Sequence, residues 1–189
     1  MRERPIVGIL LAAGSASRFG GEKLLARLPD GTPIGVAALR HLAAAVDTVV
    51  AVVRSRDELL AAALAAAGAR ITRCPRAAEG MGASLAWGVC AAPVAAAWVI
   101  ALADMPWVEP VTMAGVVDAL HGGATVAAPS YRGRRGHPVG FAARCYGELS
   151  ALSGDEGAKA VVDRYQVTLI DTDDAGVLRD VDTRQDLET

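Results

Sequence analysis

Runs of consecutive apolar residues alternate along the chain with segments in which apolar residues recur every three or four positions. The apolar runs predict buried strands at residues 6–11, 48–53, 69–73, 97–103, 125–128 and 167–171. The segments with helical spacing predict helices at residues 33–45, 55–68, 83–90, 110–120, 144–149 and 157–165. A strand covered on both faces is apolar throughout, and strands that alternate with helices are typical of βαβ units. The pattern therefore predicts an α/β fold with a mainly parallel sheet.

Local features predict where one of these helices begins and ends. Ser55 and Glu58 have the spacing of a capping box, in which the two side chains satisfy the first unpaired amides of a helix. Gly68 follows the segment rich in alanine and leucine, and glycine readily adopts the left-handed conformation that ends many helices. We therefore expect a helix that Ser55 caps and Gly68 terminates.

Residues 130–141 interrupt the alternation of strands and helices. Arg132, Arg134 and Arg135 lie beside two glycines in a basic turn between short β-like pieces. This pattern predicts a hairpin inserted near a site. Its arginines suit either an anionic substrate or a solvated hairpin tip, and both interpretations stay open.

The composition favours a single domain. A chain of 189 residues that is 52% hydrophobic can bury one sizeable core. Lys and Arg number 19 against 21 Asp and Glu, so the net charge of −2 offers no overall attraction to nucleic acid or to an anionic membrane. Three cysteines without CxxC spacing argue against a disulfide framework or a zinc site. We therefore expect a cytoplasmic protein that binds neither nucleic acid nor membrane.

Two apolar segments imitate membrane signals. Residues 6–13 follow two arginines and precede Ser15 and Ser17, as in a short signal peptide. Residues 89–103 contain Pro93 and are shorter than the ~20 residues of a spanning helix. We expect the first segment to be a core strand at a retained N-terminus. We expect the second to be a helix end followed by a buried strand.

The segment after the first predicted strand is suited to binding phosphate. Residues 10–23 are LLAAGSASRFGGEK, and small residues after a buried strand let backbone amides approach a bulky anion. Arg18 and Lys23 add two cations within reach of the same phosphates. Neither GxGxxG nor GxxxxGK[ST] is present, which indicates a different kind of phosphate loop. The alternative is a small-residue turn with two solvated cations.

Asp104 is a candidate metal ligand. It follows the most apolar predicted strand, so it should lie at the carboxyl end of a central strand, where ligands bind in open α/β sheets. A carboxylate there suits Mg²⁺, a hard cation that takes oxygen ligands and bridges triphosphate oxygens. The alternative is that Asp104 caps the helix that Pro110 begins.

Together these motifs resemble one known family. Residues 11–23 (LAAGSASRFGGEK) and 102–106 (LADMP) are similar to the MobA-like NTP transferases, and most of all to their molybdenum cofactor cytidylyltransferase branch. The likeness continues in four further segments: EGMGASL at 79–85, GHPV at 136–139, GDEGA at 154–158 and DVDTRQDL at 180–187. Departures from the family pattern are Cys74 and Ala77, where Asn and a nearby Trp are usual, and Ala103, where glycine is frequent.

The resemblance implies a Rossmann-like three-layer α/β/α nucleotidyltransferase fold over residues 1–189, and it implies a role for each matching residue. The nucleotide-binding residues would be Leu11, Ala12, Ala13, Gly14, Ser15, Ser17, Arg18, Lys23, Gly82 and Ser84. The catalytic residues would be Arg18, Lys23 and Asp104, and the Mg²⁺ ligands would be Asp104 and Asp182. The acceptor-side residues would be Arg135, His137 and Asp155.

Two of the acceptor-side residues have structural alternatives. His137 precedes a proline in a turn, where a histidine is as often structural as functional. Asp155 precedes the helix predicted from Gly157 and could cap it instead of orienting an acceptor.

The resemblance further implies transfer of CMP from CTP to the phosphate of molybdopterin cofactor, with Mg²⁺ as cofactor and release of pyrophosphate. A molybdoenzyme or a chaperone is a candidate partner. Three alternatives remain: a relative that uses GTP or activates another small phosphate, a non-catalytic nucleotide-binding module for molybdoenzyme assembly, and a dinucleotide-dependent oxidoreductase. The missing GxGxxG disfavours the oxidoreductase. The non-catalytic binding module is disfavoured because nucleotide binding alone would not require two separated metal-binding carboxylates in addition to the cations.

Overall fold

The computed structural model describes residues 4–14, 19 and 22–187. The strands are β1 (Ile6–Leu11), β2 (Thr48–Arg54), β3 (Arg70–Cys74), β4 (Ala97–Leu102), β5 (Val126–Tyr131), β6 (Arg134–Arg135), β7 (Val139–Ala142) and β8 (Val167–Asp171). The α-helices are α1 (Ile34–Ala43), α2 (Glu58–Ala66), α3 (Met81–Cys90), α4 (Pro110–His121), α5 (Tyr146–Ser150) and α6 (Lys159–Val162). Short 3-10 turns occur at Lys23–Leu25, Ala77–Glu79, Ala143–Cys145, Ala175–Leu178 and Arg184–Leu187.

All described strands belong to one sheet, in the order β3-β2-β1-β4-β7-β5-β6, with β8 on the other edge of β5. The pairs β1–β2, β1–β4, β2–β3 and β5–β8 are parallel, whereas β7 runs antiparallel to β4 and β5. This confirms the predicted mainly parallel sheet. The antiparallel strand comes from the segment in which the sequence pattern breaks. The predicted hairpin is also confirmed, because β5 and β6 are joined by a tight turn with positive φ at Arg132 and Gly133.

The apolar residues of the sheet face two helical layers. Ile6 and Leu10 of β1 pack with α1, α2 and α4, whereas Val7 and Ile9 pack with α3, α5 and α6 on the opposite face. Burial on both faces explains why β1 is apolar throughout. The predicted three-layer α/β/α arrangement is therefore confirmed.

Helix α2 corrects one local prediction. It begins at Glu58 after Asp57, and no side chain caps it. The Ser55–Glu58 capping box is therefore wrong: Glu58 instead accepts a 2.7 Å hydrogen bond from Arg73 on β3. Glu58 is the first residue of the helix, so it does not occupy the third position that a capping box requires. The predicted end is confirmed, because Gly68 follows the helix with φ +102 and donates to Ala65 O.

Other helix boundaries differ from the sequence pattern near the site. Helix α3 starts at Met81 rather than residue 83, and α6 covers four residues of the predicted 157–165. The apolar run 89–103 is divided between the end of α3 and β4, as predicted. Within the described ranges, no helix is long and apolar enough to cross a membrane.

Candidate active site

The carboxyl ends of the central parallel strands open onto a cleft of about 820 Å³. In sheets of this kind ligands bind at that edge. The cleft is lined by the loop 11–14 after β1, by the turn Lys23–Leu25, and by charged side chains from several elements. Those charged residues are Glu22, Lys23, Arg54, Asp57, Asp104, Asp155 and Asp180.

The loop after β1 is fixed to the strands on either side of it. Ala12 donates its backbone N–H to Val52 O at 2.9 Å, and Leu11 O accepts from the N–H of Ala103 at 3.0 Å. Gly14 has no heavy atom within 4 Å of an added Cβ, so its backbone is open to the cleft. Leu11, Ala12, Ala13 and Gly14, for which nucleotide binding is predicted, all line the cleft. Ser15, Ser17 and Arg18 lie outside the described residues.

Lys23 brings together two carboxylates that are far apart in the sequence. Its Nζ lies 2.8 Å from Asp104 Oδ2 and 3.8 Å from Asp182 Oδ1. The lysine side chain is only 10% exposed, against 29% for Asp104 and 50% for Asp182. A buried ammonium of this kind needs a compensating charge, so the pair of carboxylates explains how Lys23 is accommodated.

Asp104 does not cap α4. The N-cap of α4 is Glu109, and no side chain hydrogen-bonds there as a cap. The carboxylate of Asp104 is instead directed to Lys23. The backbone carbonyl of Asp104 accepts a hydrogen bond from Val181 N–H at 2.9 Å, which holds the C-terminal segment at the end of β4.

Asp186 sets the position of Asp182. Its Oδ2 accepts the backbone N–H of Thr183 at 2.6 Å, the backbone N–H of Asp182 at 2.9 Å and the Thr183 hydroxyl at 3.0 Å. These hydrogen bonds, that of the Thr183 amide foremost, hold the pKa of Asp186 below its usual value. Arg179 stacks on Trp107 in the same region, with its guanidinium carbon 3.7 Å from the ring centre.

Asp174 is a buried carboxylate that joins the C-terminal segment to α4. Its Oδ2 accepts from Glu109 N–H at 2.8 Å and from the Thr112 hydroxyl at 2.9 Å, while Oδ1 accepts from Gly176 N–H at 2.8 Å. It therefore anchors the turn Ala175–Leu178, from which the chain continues to Asp182.

A second cavity of about 230 Å³ adjoins the cleft, and the two share Leu102 and Asp180. Arg135 and His137 line this second cavity. His137 is positioned by its backbone N–H, which donates to Val177 O at 2.9 Å.

The surroundings of His137 favour its neutral form. Its Nδ1 is buried and has no hydrogen-bond partner in the described part of the chain. Burial lowers the pKa of His137, an effect that nearby Asp104 and Asp180 oppose and Arg135 reinforces. Burial therefore disfavours the charged imidazolium at this cavity.

Of the two nucleotide-binding residues predicted on α3, only one lines the cleft. Ser84 lines the cleft and is 4% exposed. Gly82 does not line it: its N–H donates to Gly154 O at 2.8 Å, and a Cβ there would lie 2.6 Å from Ser153 O. The glycine lets the 153–155 loop pack on the first turn of α3.

Asp155 lines the cleft and does not cap the next helix. Helix α6 begins after Ala158, and no side chain caps it. The capping alternative for Asp155 is therefore wrong, because the helix starts further along the chain than the sequence pattern indicated.

Several residues of the site were missed by sequence reasoning. Arg54 donates from Nε to Ala13 O at 2.9 Å, and Asp57, Glu22 and Asp180 also line the cleft. Arg54 had a usable signal, because it directly follows an apolar strand in the same way as Asp104. The link from Asp174 to the start of α4 had no local signal, since Glu109 and Thr112 are distant in the sequence.

The sheet order and the cleft at the carboxyl ends of its central strands define the chain as an α/β protein with a ligand-binding edge. Residues 8–169 match the MobA-like NTP transferase domain, and the chain belongs to that family.

Relatives of the chain extend over its full length. Purine catabolism protein PucB of Bacillus subtilis is 30% identical and is matched over 100% of this chain and 97% of its own. The crystal structure of Rv0371c from Mycobacterium tuberculosis is similar with a TM-score of 0.87, 30% identity and full coverage of both chains. Rv0371c has also been crystallised with manganese, and that structure has a TM-score of 0.81, 28% identity and coverage of 97% of this chain and 96% of its own.

A nucleotidyl transferase from Methanothermobacter shares the fold, with a TM-score of 0.80, 24% identity and coverage of 96% of this chain and 94% of its own. This similarity extends the shared fold to a more distant protein. Membership of the MobA-like NTP transferase family supports a nucleotidyltransferase.

Proposed function

We propose that the chain is a Mg²⁺-dependent cytidylyltransferase that transfers CMP from CTP to the phosphate of molybdopterin cofactor and releases pyrophosphate. The observation that carries the proposal is that Lys23 and Asp104 line the cleft beside the loop 11–14, with Asp182 next to Lys23. These residues combine the cation and the carboxylates that phosphoryl transfer from a triphosphate needs. Arg18, Ser15 and Ser17 join this proposal through the family resemblance alone.

The donor set fits a divalent cation. Asp104 and Asp182 offer oxygen ligands, and the described residues contain no group of three or more His, Cys, Asp or Glu arranged to hold a metal. Mg²⁺ is commonly held by one or two carboxylates together with substrate phosphates. When bound there, it would supply positive charge to the triphosphate. The manganese complex of Rv0371c supports a divalent metal in a relative.

The reaction needs positioning rather than a protein nucleophile. An acceptor phosphate oxygen attacks the α-phosphorus in line, the bond from that phosphorus to the bridging oxygen breaks, and pyrophosphate leaves with the electron pair. Lys23 would stabilise the charge that gathers on the leaving group. The loop 11–14, with Ser84, would hold base and phosphates.

The acceptor would enter from the side of the second cavity. Arg135 and His137 line that cavity, and Asp155 lies at the cleft. A neutral imidazole can donate one hydrogen bond without adding charge, while Arg135 can attract a phosphate.

The proposal extends the family domain to residues 1–189, since Asp182 lies beyond the matched residues 8–169. The cytoplasmic location and a molybdoenzyme or chaperone partner remain predictions.

Pyrophosphate release tests the proposal. The purified chain is incubated with molybdopterin cofactor, Mg²⁺ and each of the four NTPs, and the nucleotide product is identified by mass. We expect the highest rate with CTP, and almost none after Asp104→Asn. Asp118→Asn is the matched control, because this exposed carboxylate on α4 does not line the cleft.

The outcomes separate the parts of the proposal. Absence of pyrophosphate with every NTP would reject nucleotidyl transfer to this acceptor. A preference for GTP would reject cytidylyl specificity while nucleotidyl transfer stands.

A further inference from the structure

Arg54 connects the end of β2 to the loop that lines the cleft. It is the last residue of β2, it is half-buried, and its Nε donates to Ala13 O at 2.9 Å. It also lines the cleft beside that loop. Its position is therefore fixed at one end by the strand and at the other by the carbonyl of Ala13.

The bond to Ala13 completes the attachment of the loop to the protein. Leu11 O and Ala12 N are held by β4 and β2, and Ala13 O is held by Arg54. The carbonyl of Ala13 thereby accepts one hydrogen bond from the protein. The terminal nitrogens of Arg54 donate to none of the described residues, so they can serve a ligand in the cleft.

A guanidinium presents parallel donors in a planar fork and matches two adjacent acceptor atoms. Cytosine has such a pair in N3 and O2, and guanine has O6 and N7. On the edges of adenine that carry the amino group, each acceptor has that amino group, a donor, as its neighbour. In uracil, the N3–H donor lies between the two carbonyls. A fork of donors therefore favours cytosine and guanine over adenine and uracil.

We propose that Arg54 is a specificity-determining residue that holds the loop through Ala13 O and directs its remaining donors to adjacent acceptors on the base. This inference rests on the proposed nucleotidyltransferase function. It divides base selection between two groups. Arg54 discriminates against UTP and ATP by hydrogen bonding. The methyl of Ala13, which lines the cleft, narrows the space for the base and so discriminates against the larger purine of GTP.

The comparison of CTP with UTP is the sharpest test, because the two bases have nearly the same size. Arg54→Met keeps much of the side-chain length and removes the donors. We expect the ratio of kcat/KM for CTP over UTP to fall by about 10–100-fold, while the CTP over GTP ratio stays within about threefold. Arg54→Lys retains the charge without the fork, and we expect it to lose the same discrimination.

Two controls separate specificity from a general structural effect. Arg56→Met alters an exposed arginine in the same turn that does not line the cleft, and it should leave both ratios unchanged. Inhibition by inorganic tripolyphosphate, which has no base, should be the same in the wild type and in Arg54→Met. If Arg54→Met does not fold by thermal unfolding, Arg54→Lys carries the test.

Binding measurements distinguish failure of this inference from failure of the proposed function. Calorimetry with CMP and UMP needs no acceptor and no turnover. Tighter binding of CMP by the wild type, lost in Arg54→Met and Arg54→Lys, supports the role of Arg54 even if the acceptor is another phosphate. An unchanged CMP over UMP ratio in both variants overturns it, whatever the transferase assay gives.

Discussion

The ammonium of Lys23 lies next to both Asp104 and Asp182, so it would repel a metal ion bound between these two carboxylates. Its Nζ is 2.8 Å from one carboxylate and 3.8 Å from the other. A divalent ion bound by both carboxylates would lie close to this ammonium, and like charges repel. We therefore predict that Lys23→Met binds Mn²⁺ more tightly than the wild type when no nucleotide is present.

The geometry sets the size of the effect. Unit charges about 4 Å apart near a protein surface interact by ~4 kcal/mol at an effective dielectric constant of ~20. Asp182 is 50% exposed, and solvent screening reduces exposed pairs to ~1 kcal/mol or less. Taking ~1 kcal/mol as the part of this repulsion that survives screening, we expect Mn²⁺ to bind about fivefold more tightly to Lys23→Met. With CTP present the same variant should turn over more slowly, mainly through kcat, because charge on the leaving pyrophosphate loses its partner.

Electron paramagnetic resonance of unbound Mn²⁺ measures the affinity without nucleotide, and pyrophosphate release measures turnover. Lys159→Met is the matched control, because Lys159 is exposed on α6 and does not line the cleft. Unchanged or weaker Mn²⁺ binding in Lys23→Met would refute the competition between the ammonium and the metal. A change confined to KM for the nucleotide would make Lys23 a ground-state anchor instead.

Three further predictions concern the metal, the base and the core. Asp104→Asn or Asp182→Asn should lower turnover at least ~100-fold, since a displaced metal removes several kcal/mol of transition-state stabilisation. Circular dichroism should show an unchanged fold. Near-normal turnover of both variants at saturating Mg²⁺ would contradict the metal assignment. Ala13→Gly should lower the ratio of kcat/KM for CTP over GTP, because it removes a methyl whose contact with the base provides ~10–200-fold discrimination. An unchanged ratio would show that this methyl does not select the base by size. Gly88→Ala should lower the free energy of unfolding in urea by ~1–3 kcal/mol, because its Cβ would lie 2.6 Å from an isoleucine methyl of β1. Gly147→Ala, with open space around an added Cβ, is the control, and equal stability of the two variants would argue against overpacking.

The sequence by itself determined the sheet and one edge of the site. Strands such as β1 and β4 are continuous apolar runs because both of their faces are buried, and this property is visible in any short window. Since a parallel strand delivers the following residues to the ligand-binding edge, the loop 11–14 and Asp104 could be assigned to the cleft from their place in the chain. The family resemblance added Asp182, which no local pattern relates to Lys23.

Only the tertiary structure decided which distant groups meet. Glu58 pairs with Arg73 on β3, Gly82 contacts the 153–155 loop, and Arg54 donates to the carbonyl of Ala13. These outcomes depend on how strands and loops lie against each other after folding, and each involves a hydrogen bond between residues far apart in the chain. Periodicity reports which face of an element is buried. It carries no information on the partner of a polar side chain, because that partner is chosen by three-dimensional distance rather than by sequence spacing.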